Sequence, residues 1–143
     1  MNRISPEEYA KAVVDCINLA RQSTGGGRVA AQAILSAYNG DSFQLDVSGL
    51  CNLDNDNYET VLKVIRGRFE VGREPHEMVS DGGKIFRALW TQWERLELVE
   101  RAKRECPDCN GRGAIFLNTN DDDDMTTKPC ERCAGTGRIC RCA

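Results

Sequence analysis

Apolar residues recur at helical spacing in four stretches of the first hundred residues, and glycine-rich or polar segments separate these stretches. The first stretch opens on Ser5-Pro6-Glu7-Glu8, which combines a hydroxyl cap, a proline at the first helical position and a glutamate three residues after the cap. This combination is typical of a helix start. Gly25-Gly26-Gly27 is expected to end that helix as a flexible connector, because it lacks the Gly-Lys-Ser/Thr ending of a phosphate-binding loop.

A second helix is predicted after the glycines, with a stop at Asn39-Gly40. Alternation of apolar and polar residues between Asp41 and Asp54 then predicts an extended segment with one short strand. A third helix is predicted from about Asp54 to Phe69. The side chains expected to point inward are Val29, Ala33, Ile34 and Ala37 from the second helix and Tyr58, Val61, Leu62, Ile65 and Phe69 from the third.

Asp81-Gly82-Gly83 is followed by a pattern that predicts one long helix from about Lys84 to Arg104. We expect both of its tryptophans, Trp90 and Trp93, to anchor the core, although a row of tryptophans can also be a docking surface. One broad apolar face of this helix would carry Ile85, Phe86, Leu89, Trp90, Trp93, Leu96 and Val99.

A cysteine motif repeats near the C-terminus, as Cys106-Pro-Asp-Cys109-Asn-Gly-Arg-Gly and Cys130-Glu-Arg-Cys133-Ala-Gly-Thr-Gly. Two residues between paired cysteines is the spacing at which one tight turn aims both sulfurs at the same ion. The first glycine of each repeat is expected to adopt a positive φ. The motif therefore predicts one structural Zn²⁺ held by four thiolates, with disulfide exchange as the alternative chemistry of such pairs.

Length and composition favour two parts, a helical domain over residues 1–104 and a zinc-binding module over residues 105–143. The module has few large apolar side chains, so metal binding would have to supply its folding energy. The 20 residues between Cys109 and Cys130 suit a β-hairpin, with Ile115, Phe116 and Leu117 as its outgoing arm and the Asp121–Asp124 run at its tip. The predicted fold class is mainly α, with a small helical domain followed by a four-cysteine zinc hairpin.

Five further residues have chemistry that the zinc site does not use. Cys16 and Cys51 lie beside apolar residues, so both are expected to pack in the core. Cys140 and Cys142 can replace a ligand, bind a second metal with outside help, or keep free thiols. His76, the one histidine, lies between carboxylates in Glu74-Pro75-His76-Glu77 and is expected to cap or lie at the surface rather than act as a base or ligand.

The net charge of −3 is unevenly placed, because residues 101–143 would be strongly basic without the Asp121–Asp124 run. A basic surface around a metal module indicates phosphate contact, while a solvated surface of mixed charge is the plainer interpretation. The candidate nucleic-acid contacts are Arg112, Lys128, Arg132, Arg138 and Arg141.

Several function classes have no support in the pattern. No apolar run approaches the ~20 residues that cross a bilayer, and no export signal is recognisable, so a cytoplasmic protein with reduced thiols is expected. No nucleophile with its base, no spaced carboxylate pair and no open metal site can be identified. We therefore expect a protein that is not an enzyme and has no small-molecule substrate.

The paired Cys-x-x-Cys-x-Gly-x-Gly repeats resemble the cysteine-rich zinc module of DnaJ-type co-chaperones and that of lambdoid phage antitermination proteins of the Q type. The co-chaperones carry four repeats and a His-Pro-Asp tripeptide, which this chain lacks. The helical body is similar to an uncharacterised family of small proteins of phages and mobile elements. The segments that carry this second likeness are Ala37-Tyr38-Asn39-Gly40, Phe43 to Asp54, Glu74 to Glu77 and Gly82 to Phe86.

These resemblances imply a bacterial cytoplasmic setting and an accessory role in phage gene control, and they transfer no catalytic residue. The favoured hypothesis is a phage or prophage accessory protein whose zinc module contacts nucleic acid or the host transcription machinery. The alternative is a protein-binding adaptor or inhibitor of a host factor, in which the zinc is purely structural. The oligomeric state cannot be predicted from the sequence.

Overall fold

The computed structural model describes residues 2–117 and 126–140. The chain divides into two compact units, Met1–Leu98 and Val99–Ala143. Helices make up the first unit, and short strands with tight turns make up most of the second. The prediction of a mainly α chain that ends in a four-cysteine module is confirmed.

Five α-helices and four short strands are formed by the described residues. The helices are α1 (Pro6–Ala20), α2 (Gly25–Tyr38), α3 (Asn55–Glu70), α4 (Gly82–Gln92) and α5 (Leu98–Arg101), and 3₁₀ helices span Val47–Asn52, Pro75–Met78 and Glu94–Leu96. The strands are β1 (Lys103–Glu105), β2 (Ala114–Phe116), β3 (Thr127–Pro129) and β4 (Arg138–Cys140). No helix among these residues combines the length and apolar character needed to cross a bilayer.

The core of the first unit lies where α1 packs against α2 and α3. The start of α1 is as predicted: Ser5 caps it and exchanges two hydrogen bonds with Glu8. Trp93 is buried, and its indole N–H donates to the carbonyl of Ala20 at 2.7 Å. Trp90 is half-buried, with its ring against Phe43. Both tryptophans therefore pack with the core, as predicted.

The prediction that Gly25–Gly27 ends the first helix is wrong, because these glycines form the first turn of α2. α1 ends at Ala20, and the Thr24 hydroxyl caps α2 by accepting from the N–H of Gly27 at 3.0 Å. A Cβ on Gly27 would lie 1.9 Å from the carbonyl oxygen of Gln22. That position therefore needs glycine for close packing of the backbone, not for flexibility.

The segment between Asp41 and Asp54 contains no strand. It forms the 3₁₀ helix Val47–Asn52, capped by the Asp46 carboxylate, which accepts from the N–H of Ser48. Phe43 is fully buried, but Val47 is 70% exposed. The apolar residues of the alternating pattern therefore do not lie on one buried face. Cys51 is exposed, which makes its expected core position wrong.

The third and fourth predicted helices form, but differently from the prediction. On α3 the buried residues are Val61, Val64 and Gly67, whereas Phe69 is 88% exposed. The predicted long helix from Lys84 to Arg104 is broken at Trp93, where φ is −114° and ψ is 21°. It continues as the 3₁₀ helix Glu94–Leu96 and then as α5, and Val99 is exposed.

Candidate metal centre

Four cysteine sulfurs meet in the second unit. The Sγ atoms of Cys106, Cys109, Cys130 and Cys133 lie within 4.8 Å of one another, and all four residues are buried. The Sγ atoms of Cys106 and Cys130 are 3.8 Å apart, as are those of Cys109 and Cys133. The structure therefore brings together all four of the predicted ligands, and this cluster can hold a metal ion.

Each repeat forms a tight turn, which we call a knuckle: Cys106–Gly113 and Cys130–Gly137. In the first knuckle the N–H of Gly111 donates to the carbonyl of Cys106, and in the second the N–H of Gly135 donates to that of Cys130. Gly111 and Gly135 have φ of 75° and 81°, which confirms the predicted positive φ at the first glycine of each repeat.

The second glycine of each repeat, Gly113 or Gly137, donates its N–H to a sulfur. Gly113 donates to Cys109 Sγ and Gly137 to Cys133 Sγ, both at 3.2 Å. Hydrogen bonds of this kind stabilise a thiolate and orient it as a ligand. The sequence motif thus supplies both the sulfurs and the groups that hold them in place.

The two knuckles interlock through the same second glycines. The carbonyl of Gly113 accepts from the N–H of Cys130 at 2.9 Å, and the carbonyl of Gly137 accepts from the N–H of Cys106 at 2.8 Å. A Cβ on Gly113 would lie 2.3 Å from the oxygen of Gly135, and one on Gly137 would lie 2.3 Å from the oxygen of Gly111. The knuckles are therefore related by a local two-fold axis that passes through the cluster.

Strand pairing follows the same local symmetry. β1 precedes the first knuckle and pairs antiparallel with β4, which follows the second knuckle. β2 follows the first knuckle and pairs antiparallel with β3, which precedes the second knuckle. The β2–β3 pair is the predicted hairpin. Ile139 is buried against the cysteines and Ile115 packs beside them, so the described part of the module has only a small apolar core.

The environment of the thiols differs between Cys133 and Cys130. Burial raises the pKa of Cys133, but the N–H groups of Gly137 and Gly135 and the neighbouring thiols outweigh burial and lower that pKa to about 7. The N–H of Cys133 lowers the pKa of Cys130, but burial and hydrogen bonds with the other thiols raise it to about 11. The hydrogen bonds from the Gly137 and Gly135 N–H groups thus favour the thiolate form of Cys133.

The donor set fits a tetrahedral metal ion. A Zn–S bond is about 2.3 Å long, which puts adjacent sulfurs of a tetrahedral site about 3.8 Å apart. This is the separation found for the Cys106–Cys130 and Cys109–Cys133 pairs. The same separation is too long for a disulfide, whose sulfurs lie about 2.05 Å apart.

The described basic residues among those proposed to contact nucleic acid are exposed, but several have partners within the module. Arg132 Nη1 lies 2.9 Å from Asp108 Oδ1, which links the two knuckles. Lys128 Nζ lies 3.7 Å from Glu131 Oε1, and Arg138 Nη2 donates to the carbonyl of Lys103 at 3.3 Å. Arg112 lies over the ring of Phe116, with its Cζ 5.6 Å from the ring centroid.

Other candidate residues are not members of the four-cysteine cluster or lie outside the described part of the chain. Cys16 is fully buried in the helical unit, and burial raises its pKa to about 12, consistent with its predicted core role. His76 Nδ1 lies 3.2 Å from Glu74 Oε2, and its ring meets that of Tyr38 edge-on. Cys140 is exposed on β4. Arg141, Cys142 and the Asp121–Asp124 run lie outside the described residues.

Sequence reasoning missed the interlocking role of Gly113 and Gly137 and the ion pair between Arg132 and Asp108. A signal for the glycines was present, because the second glycine recurs at the same place in both repeats. The ion pair had no such signal, since Asp108 and Arg132 are 24 residues apart and meet only after the knuckles have formed.

Comparison with known proteins gives one match. No curated protein and no solved structure matches this chain. The match to a family covers residues 10–94, which is the greater part of the helical unit, and it stops before Cys106. Since it spans more than half of the chain, the protein belongs to the family of unknown function DUF7673.

Proposed function

We propose that this protein is a non-enzymatic accessory protein whose C-terminal module is built on one structural zinc ion and contacts nucleic acid or the transcription machinery. The ligands are Cys106, Cys109, Cys130 and Cys133. The observation that carries the zinc assignment is the pair of 3.8 Å sulfur separations, which equal the edge of a zinc–thiolate tetrahedron.

The donor set favours zinc over harder cations, because thiolates select zinc, iron or copper, and a tetrahedral set of four sulfurs suits zinc or iron. With all four positions filled by protein sulfur, the ion has no place for water or substrate. Its role is then to fold the module, and this supports a function in binding rather than in catalysis.

The zinc proposal is tested by measuring metal content by mass spectrometry in protein purified without added metal. We expect one zinc per chain in the unaltered protein and in Cys51→Ser, which removes an exposed cysteine outside the cluster. Cys130→Ser should lose the metal. Iron in place of zinc, or equal zinc in the Cys130→Ser protein, would contradict the assignment.

Contact with nucleic acid is supported by the exposed basic side chains around the cluster, of which Arg112, Lys128, Arg132 and Arg138 are described. Arg112 stacked on the half-exposed Phe116 offers a cation and an aromatic face together, a combination that suits bases and phosphates. The resemblances of the body and of the repeats favour a phage or prophage protein that works in the bacterial cytoplasm.

A protein-binding adaptor or host-factor inhibitor is the second candidate. It is favoured by the ion pairs of Arg132 with Asp108 and Lys128 with Glu131, which offset part of the positive charge. The adjacent Phe116 and Leu117 are 51% and 43% exposed, and they give this surface an apolar component. An interface of that kind depends weakly on salt, whereas phosphate binding weakens steeply as salt rises.

Fluorescence anisotropy with short duplex DNA and with RNA across a salt series separates the two candidates. We expect salt-dependent binding that is lost in an Arg132/Arg138/Arg141→Ala variant. An Arg21/Arg28/Lys63→Ala variant removes the same charge from exposed positions of the helical unit and should bind normally. Failure to bind at low salt would remove the nucleic-acid proposal and favour the adaptor.

A further inference from the structure

The outer face of α3 carries an apolar stripe that the first unit leaves uncovered. Phe69 is 88% exposed, and Tyr58 and Ile65 are 38% and 40% exposed. Leu62 lies between them and is half-buried. Large apolar side chains that are exposed together on one helix face indicate an interaction surface more often than isolated ones do.

The spacing along the stripe is that of a helix–helix seam. Asn55, Tyr58, Leu62, Ile65 and Phe69 follow one another at alternating intervals of three and four residues. Residues at these intervals line the side of a helix that packs lengthwise against another helix. The stripe therefore fits a helical partner rather than a loop or a flat sheet.

Charges beside the seam favour a second copy of this chain as the partner. Glu59 and Arg66 are seven residues apart, so they lie on the same flank of the stripe, with the acid nearer the start of α3 and the base nearer its end. When two copies of α3 pack antiparallel, the same flanks meet, and each Glu59 faces Arg66 of the partner subunit. A parallel pair would instead bring Glu59 toward Asp54 of the partner subunit, which repels it.

The local contacts of Arg66 are compatible with this arrangement. Arg66 donates through Nε and Nη2 to Glu70, at 2.9 and 3.2 Å, and through Nη2 to the carbonyl of Asn2. A guanidinium group has five donor hydrogens, so these contacts leave donors for a second carboxylate.

A shallow apolar groove beside the stripe extends the surface onto α2. It has a volume of about 250 Å³ and is lined by Ala33, Ser36, Ala37, Leu45, Ile65 and Arg68. Its lining residues on α2 are small, so a large side chain from a neighbouring helix can approach closely. The surface is thus wider than the seam of α3 alone.

We propose that the protein forms a homodimer in which α3 packs antiparallel on α3 of a second copy, through Tyr58, Leu62, Ile65 and Phe69. In that arrangement Tyr58 of one copy lies opposite Phe69 of the partner subunit, and Leu62 lies opposite Ile65. The two charge pairs at the flank fix the antiparallel direction. This surface lies in the helical unit and does not depend on the proposed role of the zinc module.

Sedimentation equilibrium of the full chain between about 1 and 100 µM tests the dimer, since it detects dissociation constants of that order. We expect twice the monomer mass at the upper end. Phe69→Glu should raise the dissociation constant at least about tenfold. Because Phe69 is largely exposed, the substitution should leave the helical circular dichroism unchanged.

Two matched controls locate the interface. Val14→Glu places the same charge at an exposed apolar position of α1 and should leave the dimer intact. Glu59→Lys should weaken the dimer, whereas Lys63→Glu, on the same helix but away from the seam, should not. A monomer at every concentration, a dimer indifferent to Phe69→Glu, or equal loss in the Val14→Glu protein would each overturn the proposal.

Discussion

Gly67 of α3 lies directly against Tyr9 of α1. Tyr9 is fully buried, and a Cβ on Gly67 would lie 2.1 Å from its Cδ2 atom. The Tyr9 hydroxyl donates to the carbonyl of Arg73 at 3.1 Å, so the ring is held at both ends and cannot move aside easily. The missing side chain at residue 67 thus sets the distance between the two helices.

Gly67→Ala should therefore destabilise the helical unit, by about 3 kcal/mol, since overpacking a filled core displaces side chains and backbone. Urea denaturation monitored by circular dichroism measures the change. Gly83→Ala is the matched control, because nothing lies within 4 Å of its added Cβ in α4. The control should be neutral or stabilising by up to about 1 kcal/mol. Equal stability of the two variants would contradict this account.

The sequence predicted the position of some single residues correctly and of others wrongly. The Ser5 cap was predictable because a cap is a local motif, and Cys16 because its apolar neighbours recur at helical spacing. Cys51 and Phe69 were predicted wrongly, because an apolar neighbourhood does not say which of two apolar faces is covered. For Phe69 that choice is made by the packing of α1 and α2 against α3, which the pattern within one helix does not contain.

At the level of elements, the break after α4 shows why a periodic pattern can overstate a helix. Phe86, Leu89, Trp93 and Leu96 are all buried, so the apolar spacing continues through the break. The chain leaves the helical path at Trp93, whose indole is fixed by its hydrogen bond to Ala20. The sequence predicts the buried residues here but not the backbone between them.

The interlocked knuckles lead to a prediction at this scale. Gly113→Ala should prevent metal binding, because its Cβ would lie 2.3 Å from the oxygen of Gly135 and the knuckles would have to separate. Gly135→Ala is the matched control. The φ of 81° at Gly135 is as unfavourable for alanine as the positive φ at Gly113, but a Cβ on Gly135 would meet nothing closer than 3.8 Å. The control should cost only the strain of a left-handed residue, about 1–2 kcal/mol.

Competition with a chromogenic zinc chelator measures the affinity of each of these two variants. A large loss of affinity for Gly113→Ala and a small one for Gly135→Ala is expected. Similar losses would mean that positive φ, and not the close approach of the two turns, is what the module requires of its glycines.

At the scale of the whole molecule, the two units differ in what holds them together. The first has an extended core formed by α1, α2, α3, α4 and Trp93, whereas the second has Ile139 and Ile115 beside the four cysteines. So small an apolar core stabilises little by itself. The sequence predicted this difference correctly, because the number of large apolar side chains falls after Cys106.

Cys130→Ser should therefore unfold the second unit and leave the first folded, since the metal would lose a ligand and the module would lose its main source of stability. Limited proteolysis with mass spectrometry should give cleavage after about residue 98 and a resistant helical fragment, with little change in helical circular dichroism. Loss of the whole helical signal would show instead that the two units fold as one.

The local two-fold axis of the module also bears on how its two halves assemble. Equivalent residues of the knuckles are all 24 positions apart. Each knuckle supplies a carbonyl that accepts a hydrogen bond from the other knuckle and a glycine that lies close to the other knuckle's backbone. Two identical peptides could meet these requirements, so the module has the two-fold form of a dimer contained within one chain. A synthetic peptide of residues 103–117 should accordingly bind one zinc ion per two peptides, with each peptide contributing half of the coordination shell.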